Sequence, residues 1–536
     1  MNHDTLYLTM AKYRDCGNTA LYFRSSKINY EEFTRRVDAT ADRLFTLGVR
    51  KDTVVSLLAP NVPESIICLY ALSKIGATVS ILHPLLPKNT LKEAIEETKS
   101  EYLLIMDALY HNYDDVIPSL NQKVYFVTAY VDLKPLIKPG FKILYHKDLK
   151  PVDGSRYLYK QKESHQVFPV NDDADRPAIY LRSGGTTGHD KVVCINEHAI
   201  SYVAAQSNDI LGQSGYGKSM IGVLPIFHGF GLAMGIHAPL MNGAASYLMI
   251  DFNPKEIVRA IRQGKLNVLL TIPYLTEKLM ATKGFSGKKL QNLIAAYIGA
   301  DKPQLSLFDR FNGLMEENGS QCRLLQGYGL TESVTVNFVN TSYADRIGSV
   351  GRPIEGARLR ICGDDLNVDL GPNKEGGIMI SSDSVCLGYL NTPKEKQPFH
   401  YDEDGTKWLI TGDIGYYDED GFLFFINRET DVVKIAGYNV FPSDIEKYAE
   451  AVEGVGRAVC VYVEDDRHPY CHHYLTVDGK VNNSEILSKV SSSLKDNLIR
   501  YSVPEKIEII DDFPYTEIGK IDRKKLKEKT LASKGR

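Results

Sequence analysis

A chain of 536 residues that is 43% hydrophobic and 24% charged has the composition of a soluble globular protein with room for two or more domains. A formal net charge of −4 over that length gives no electrostatic basis for a nucleic-acid partner or a polybasic membrane surface. No apolar run reaches the roughly 18 residues of a membrane span, so no transmembrane segment is expected; with no signal-peptide pattern at the amino terminus, a cytoplasmic protein is expected.

In chain order, Asn29 and Glu32 form a capping box, and Phe33, Val37, Ala41 and Leu44 then share one helix face until Gly48 stops it. Val54 to Leu58 reads as a strand. Asn61-Val62-Pro63 opens a second helix, Glu64 to Lys74, and Gly76 hands the chain to the strand Thr78 to Leu82. A weaker repeat of this alternation runs from Leu103 to Thr128, and from about Val131 to Arg176 it dissolves into a polar surface connection. The rhythm predicts an α/β fold, a large amino-terminal domain of doubly wound, mostly parallel sheets covered by helices.

Between the apolar runs Pro177 to Leu181 and Val192 to Ile195 lies Ser183-Gly184-Gly185-Thr186-Thr187-Gly188-His189-Asp190-Lys191. Its glycines let the backbone approach a bulky anion, and its N–H groups, hydroxyls and lysine can all donate, which makes a phosphate cradle. It is not the common nucleoside-triphosphate loop, because His189 and Asp190 stand where that loop has Lys-Ser/Thr. Taken alone, a turn rich in Gly and Thr can equally well do no more than join two strands.

After a helix near Ala199 to Leu211, the run Leu224 to Gly231 places His228 beside Phe230, at what reads as the end of a buried strand, where open sheets put ligands. Val268 to Pro273 and Ala295 to Asp301, which holds Ile298, Gly299 and Ala300, repeat the strand-then-turn pattern. Gln326-Gly327-Tyr328-Gly329-Leu330-Thr331-Glu332 frees a tyrosine face for a flat partner and offers Thr331 and Glu332 as oxygen ligands for magnesium. Trp408 to Asp413 ends an apolar strand on a carboxylate suited to a ribose. Around Arg428 the chain turns charged, and the domains are placed at 1–428 and 429–536, the second a small, basic and compact region. There Ser443 and Glu446 cap a helix, Ala458 to Val463 reads as a strand, and Lys520 stands in a glycine loop near the end. The eight cysteines form no Cys-x-x-Cys pair and read as reduced, buried thiols; Cys471-His472-His473 reads as a strand end.

Taken in order, the cradle, the Phe-His turn, the Gly-Tyr-Gly-Leu-Thr-Glu run, Thr411-Gly412-Asp413, the Arg428 boundary and the Gly519-Lys520 loop resemble the adenylate-forming superfamily of acyl-CoA synthetases, nonribosomal adenylation domains and luciferases. Most similar is a bacterial acyl- or aryl-CoA ligase, over about Tyr30 to Lys525. The resemblance implies that the small second domain is a mobile α+β domain; it also implies ATP, Mg2+ and coenzyme A, and a two-step conversion of a small carboxylic acid to acyl-AMP and then a thioester. It assigns Ser183, Gly184, Gly185, Thr186, Thr187, Gly188 and Lys191 to the β- and γ-phosphates, with Thr187 also catalytic, and Glu332 to the metal. Tyr328 with Gly299 and Ala300 would form the adenine slot, flanked by Gln326, Gly327, Gly329 and Thr331; Asp413 and Arg428 would hold the ribose or phosphate. Lys520 would bridge the attacking carboxylate and the α-phosphate, His228 would be catalytic and face the acid with Phe230, Ile298 and Gly329, and Lys434 and Gly437 would serve the thiol step.

The chain departs from the family pattern at Gly184, Asp190, Thr430 and Ile298. Ile298 narrows one side of the acyl pocket while Gly329 leaves it open in depth, so a medium-chain fatty acid is expected. A carrier-protein phosphopantetheine thiol is the alternative acceptor, and a catalytically inactive nucleotide-binding paralogue the non-enzymatic one. His228 stands where amino-acid-activating domains place Asp, which argues for a simple carboxylic acid.

Overall fold

Asn29 accepts the Glu32 N–H at 2.8 Å and starts the helix Tyr30–Thr46, whose Phe33, Val37, Ala41 and Leu44 are all buried. Glu32 turns outward to pair with Arg35, so the reverse half of the expected capping box is replaced by a surface ion pair. The next helix, Pro63–Ile75, is buried on nearly every side and packs against Tyr30–Thr46; Gly76, at φ +83°, ends it in the left-handed conformation that glycine adopts without strain.

The computed structural model describes residues 4–129, 153–183, 191–429, 433–435, 438–440, 442–463, 470–479, 482–498, 503–516 and 520–532. The chain divides into two compact units, Met1–Leu359 with Ile380–Leu409 and Arg360–Met379 with Ile410–Arg536. The sequence-based boundary at 428–429 lies inside the second unit, within Ile410–Arg536, at the end of the strand Leu423–Arg428.

Two sheets organise the first unit. One orders Gly388–Tyr389, Val192–Asn196, Pro177–Arg182, Thr78–Leu82, Val54–Leu58, Tyr102–Met106 and Lys123–Val127. It is parallel from Pro177–Arg182 outward and antiparallel on the other side, so the cradle joins antiparallel neighbours, Arg182 opposite Val192. The other sheet is parallel through Leu324–Tyr328, Ala295–Ile298, Val268–Thr271, Ser219–Gly222, Ala245–Leu248 and Thr19–Phe23, with antiparallel strands at both edges. Thr271, Ile298 and Gln326 lie in register near the carboxyl ends of three parallel strands, where such sheets bind ligands.

In the second unit, Val455–Val463, Tyr470–Val477 and Lys506–Ile509 form a three-stranded sheet. Strand alternation sends Ala458 and Cys460 to a core with helices Pro442–Glu450 and Asn483–Asn497, and Val459, Val461 and Val463 to one with Phe513 and Leu526. Adjacent His472 and His473 therefore face opposite sides of the sheet, an arrangement unsuited to chelating a common ion. All eight cysteines are free thiols, and all but Cys16 are buried.

His237 sits in the core of the first unit, hydrogen-bonded to the Tyr70 hydroxyl at 2.8 Å and to Ser201 Oγ at 3.1 Å. Burial pushes its pKa from 6.5 down to about 3. Because the unfolded chain takes up this proton first, the stabilisation is complete above pH 6.5 and is lost as pH falls toward 3. Lowering the pH from 7.5 to 5.0 is expected to cost about 2 kcal/mol at this site. Chemical denaturation at the two pH values, on the wild type and on His237→Gln, should show a smaller acid-induced loss in the variant.

Candidate active site

The Ser183 N–H donates to the Lys191 carbonyl at 2.9 Å, adding one rung to the antiparallel pair below the cradle. Gly184, Gly185, Thr186, Thr187 and Gly188 lie outside the described residues. Lys191 Nζ lies 4.4 Å from the ring centre of Tyr389. Tyr389 pairs directly with Val193, and Lys191 is the diagonal neighbour on the same sheet face, within reach of a long side chain.

The Tyr389 hydroxyl donates to Glu332 Oε1 at 2.9 Å, and the Cys386 N–H donates to the Glu332 carbonyl at 2.8 Å. Burial, reinforced by the Glu332 charge, holds the phenol pKa far above its usual value, so it remains a donor. Two predicted site residues, distant in sequence, thus converge on a third that sequence reasoning did not single out.

Glu332 lies in a tight turn, Thr331–Ser333, beyond the strand Leu324–Tyr328. The turn leaves Val334 at φ +51° and Thr335 at φ +80°, a strained conformation for β-branched residues. The Thr335 carbonyl oxygen occupies the place where a side chain on Gly329 would begin. Against the depth expected at Gly329, backbone fills the direction in which its missing side chain would point.

The His228 turn packs on the same loop, with a Cβ on Gly229 falling 3.5 Å from the Thr335 nitrogen. Its strand ends at Gly222, so His228 lies beyond a turn and not at a strand terminus as expected. Asn61 shapes that turn, donating to the Gly222 and Leu224 carbonyls at 2.9 and 2.8 Å and accepting the Ile226 N–H at 3.1 Å. Phe230 then begins a π-helical stretch, Phe230–His237, and its ring lies 3.7 Å from where a Cβ on Gly299 would stand. Gly299 also faces the Gly327 carbonyl, so Phe230, Gly299 and Gly327 adjoin; Ile298 is 1% exposed, and Ala300 has φ +69°. The Tyr328 ring lies 6.1 Å from Phe338.

In the second unit, Asp413 stands opposite Arg428 in the antiparallel pair of Lys407–Tyr417 with Leu423–Arg428, their Oδ1 and Nε 3.5 Å apart. Asp413 is buried, whereas Arg428 is 44% exposed. Lys434 pairs with Asn439 in the ribbon Val433–Ile435/Tyr438–Val440, and Thr430 and Gly437 lie outside the described residues. Lys520 closes a small loop: its carbonyl accepts the Thr516 N–H at 2.7 Å, its N–H donates to Thr516 Oγ1 at 3.1 Å, and Tyr515 bridges to Ile521. Arg523 anchors the base of this loop on Glu446 at 2.7 Å and on the Cys460 carbonyl at 2.8 Å. Glu446 therefore ties helix to loop and does not serve as the predicted cap, and Ser443 sits inside the first turn of Pro442–Glu450.

Sequence reasoning passed over Tyr389, Asn61 and Arg523 as positioning groups. The available signal for the first was Gly388-Tyr389, which repeats the Gly-Tyr order of Gly327-Tyr328 after another apolar segment.

A family model described as AMP-binding enzyme matches residues 9–390. A 2-succinylbenzoate–CoA ligase of Listeria monocytogenes is 26% identical over 515 residues, covering 95% of this chain and 96% of that one. A long-chain-fatty-acid–CoA ligase of Bacillus subtilis is 24% identical over 535 residues, covering 97% and 93%. The solved o-succinylbenzoate coenzyme A synthetase of Bacillus subtilis, in complex with ATP and magnesium ion, shares the fold with a TM-score of 0.78 at 20% identity, over 98% of this chain and 99% of that one.

Gly329→Ala is expected to lower stability by about 3 kcal/mol or more, because a Cβ there collides with fixed backbone. Gly299→Ala, whose added carbon meets only ordinary contacts of 3.5 and 3.7 Å, should stay within about 1 kcal/mol of the wild type in the same urea titration.

Proposed function

This chain belongs to the AMP-binding enzyme family, and from that premise we propose that it is an acid–thiol ligase, forming an acyl-adenylate from a carboxylic acid and ATP and then a thioester with coenzyme A. The observation that carries the reading is the meeting of Lys191 and Glu332 on Tyr389 beside the cradle, a cation for phosphate oxygens and a carboxylate for a hard metal ion.

In the first step a carboxylate oxygen bonds to the α-phosphorus of ATP, and the bond to the bridging oxygen of pyrophosphate breaks. The barrier is largely the approach of one anion to another, so fixed positive charge is the main requirement. Ser183 to Gly188 and Lys191 would hold the β- and γ-phosphates, and Lys520 would sit between the carboxylate and the α-phosphate. Glu332 fits magnesium by chemistry, since a hard carboxylate already oriented by a hydroxyl suits an ion bound through one or two carboxylates plus phosphates. When bound, that ion supplies charge neutralisation on the phosphates. Tyr328 with Gly299, Ala300, Gln326, Gly327, Gly329 and Thr331 would receive the adenine side, and Asp413 with Arg428 the ribose. In the second step the thiol sulfur bonds to the acyl carbon, AMP leaves with the bonding oxygen, and the thiol proton passes to solvent. Lys434 and Gly437 would serve this step, reached by rotation of residues 429–536 about a hinge near Thr430.

For the acid we propose an aryl carboxylate, in line with the 2-succinylbenzoate ligase among the relatives. A fatty acid is the second reading, supported by the Bacillus subtilis relative and by Ile298. Coenzyme A is preferred to a carrier protein because the relatives are named as CoA ligases.

With Mg-ATP, coenzyme A and a panel of aryl and fatty acids, mass-resolved analysis is expected to find AMP and an aryl-CoA together. Acyl-AMP without any CoA thioester would move the acceptor to a carrier protein. Lys520→Ala should slow adenylation by roughly 100-fold or more, and unaltered turnover in that variant would overturn the mechanism.

A further inference from the structure

We propose that Tyr389 is a positioning residue that sets the metal arm and the phosphate arm of the site together, an inference that rests on the ligase reading. Its backbone is fixed from both sides. On one edge, the segment carrying it pairs with Val192–Asn196, with the Leu387 N–H donating to Cys194 and the Leu390 N–H to Val192, each at 2.8 Å. On the other edge, a side chain replaces a strand. The Tyr389 N–H donates to Gln397 Oε1 at 2.7 Å, and Gln397 Nε2 donates to the Tyr389 and Thr392 carbonyls at 3.0 and 2.9 Å. Gly388, at φ +140°, permits this approach, since a Cβ there would lie 2.7 Å from Gln397 Oε1.

A ring held this firmly presents two different surfaces. Its hydroxyl fixes one carboxylate oxygen of Glu332, leaving the other oxygen and the remaining lone pairs for a cation; its face carries the Lys191 ammonium. Lysine and carboxylate are thereby held close without the direct ion pair that would consume both charges. Removing the hydroxyl alone frees Glu332 to rotate while the ring still carries Lys191, so the metal arm weakens and the phosphate arm does not. Removing the ring also releases Lys191 and weakens the phosphate arm.

The test is calorimetric titration of the purified full-length chain with ATP, once in excess EDTA and once in excess Mg2+, for the wild type, Tyr389→Phe, Tyr389→Leu and Glu332→Gln. In the wild type, Mg2+ should tighten ATP binding. Tyr389→Phe should lose roughly tenfold of that enhancement, the scale of a hydrogen bond to a charged group, with ATP affinity in EDTA within about twofold of the wild type. Tyr389→Leu should in addition bind ATP roughly threefold more weakly in EDTA. The double variant Tyr389→Phe/Glu332→Gln should be no worse than Glu332→Gln alone. A merely structural role would instead lower the melting temperature and both affinities in parallel, and that result overturns the proposal. So does an undiminished Mg2+ effect in Tyr389→Phe, or its absence in the wild type. The ligase reading fails separately, when no acid yields an acyl-adenylate although the Mg2+ effect is present.

Discussion

The candidate site depends on a backbone pairing between segments nearly two hundred residues apart, Gly388–Tyr389 against Val192–Asn196. That strand is only two residues long and stands at the end of a seven-stranded sheet. Its effect is geometric. It places a tyrosine across from the lysine that closes the cradle, and the Cys386 N–H just before it holds the backbone of Glu332. The groups proposed to face phosphate and metal thereby gain a common reference point, as chemistry on a polyanion requires.

Local pattern made much of the scaffold legible. Asn29, Gly76 and the strands Val54–Leu58 and Thr78–Leu82 could be read because a cap, a helix stop and an apolar run are properties of neighbouring residues. What escaped was set by tertiary packing. Asn61 looks like a helix opener, yet its amide is drawn to carbonyls of a distant turn. Glu446 has the spacing of a cap, yet Arg523 and the Cys460 N–H provide stronger partners. Gly329 reads as vacant space because a sequence does not reveal what backbone passes opposite it. The Thr335 carbonyl does so, from a conformation that sequence would not assign to threonine.

The same contrast runs through the candidate site. Lys191, Glu332, Asp413 and Lys520 stand out as candidates by residue type and motif order, whereas the groups packed against Lys191, Glu332 and the Lys520 loop, Tyr389, Thr516 and Arg523, are far less conspicuous in the sequence. Reactive side chains are limited to a few types that chemistry can name in advance. A supporting group needs only the right reach, and many residues can supply that.

The Gln397 amide has a consequence beyond the site. A terminal strand displays unpaired N–H and C=O groups, a template on which another chain can add. At Tyr389 both of those groups are already taken by a side chain of the same molecule. The sheet is thus closed to cross-β growth at the edge nearest its candidate site, and the residue that steadies the tyrosine also helps keep separate molecules from sticking to one another.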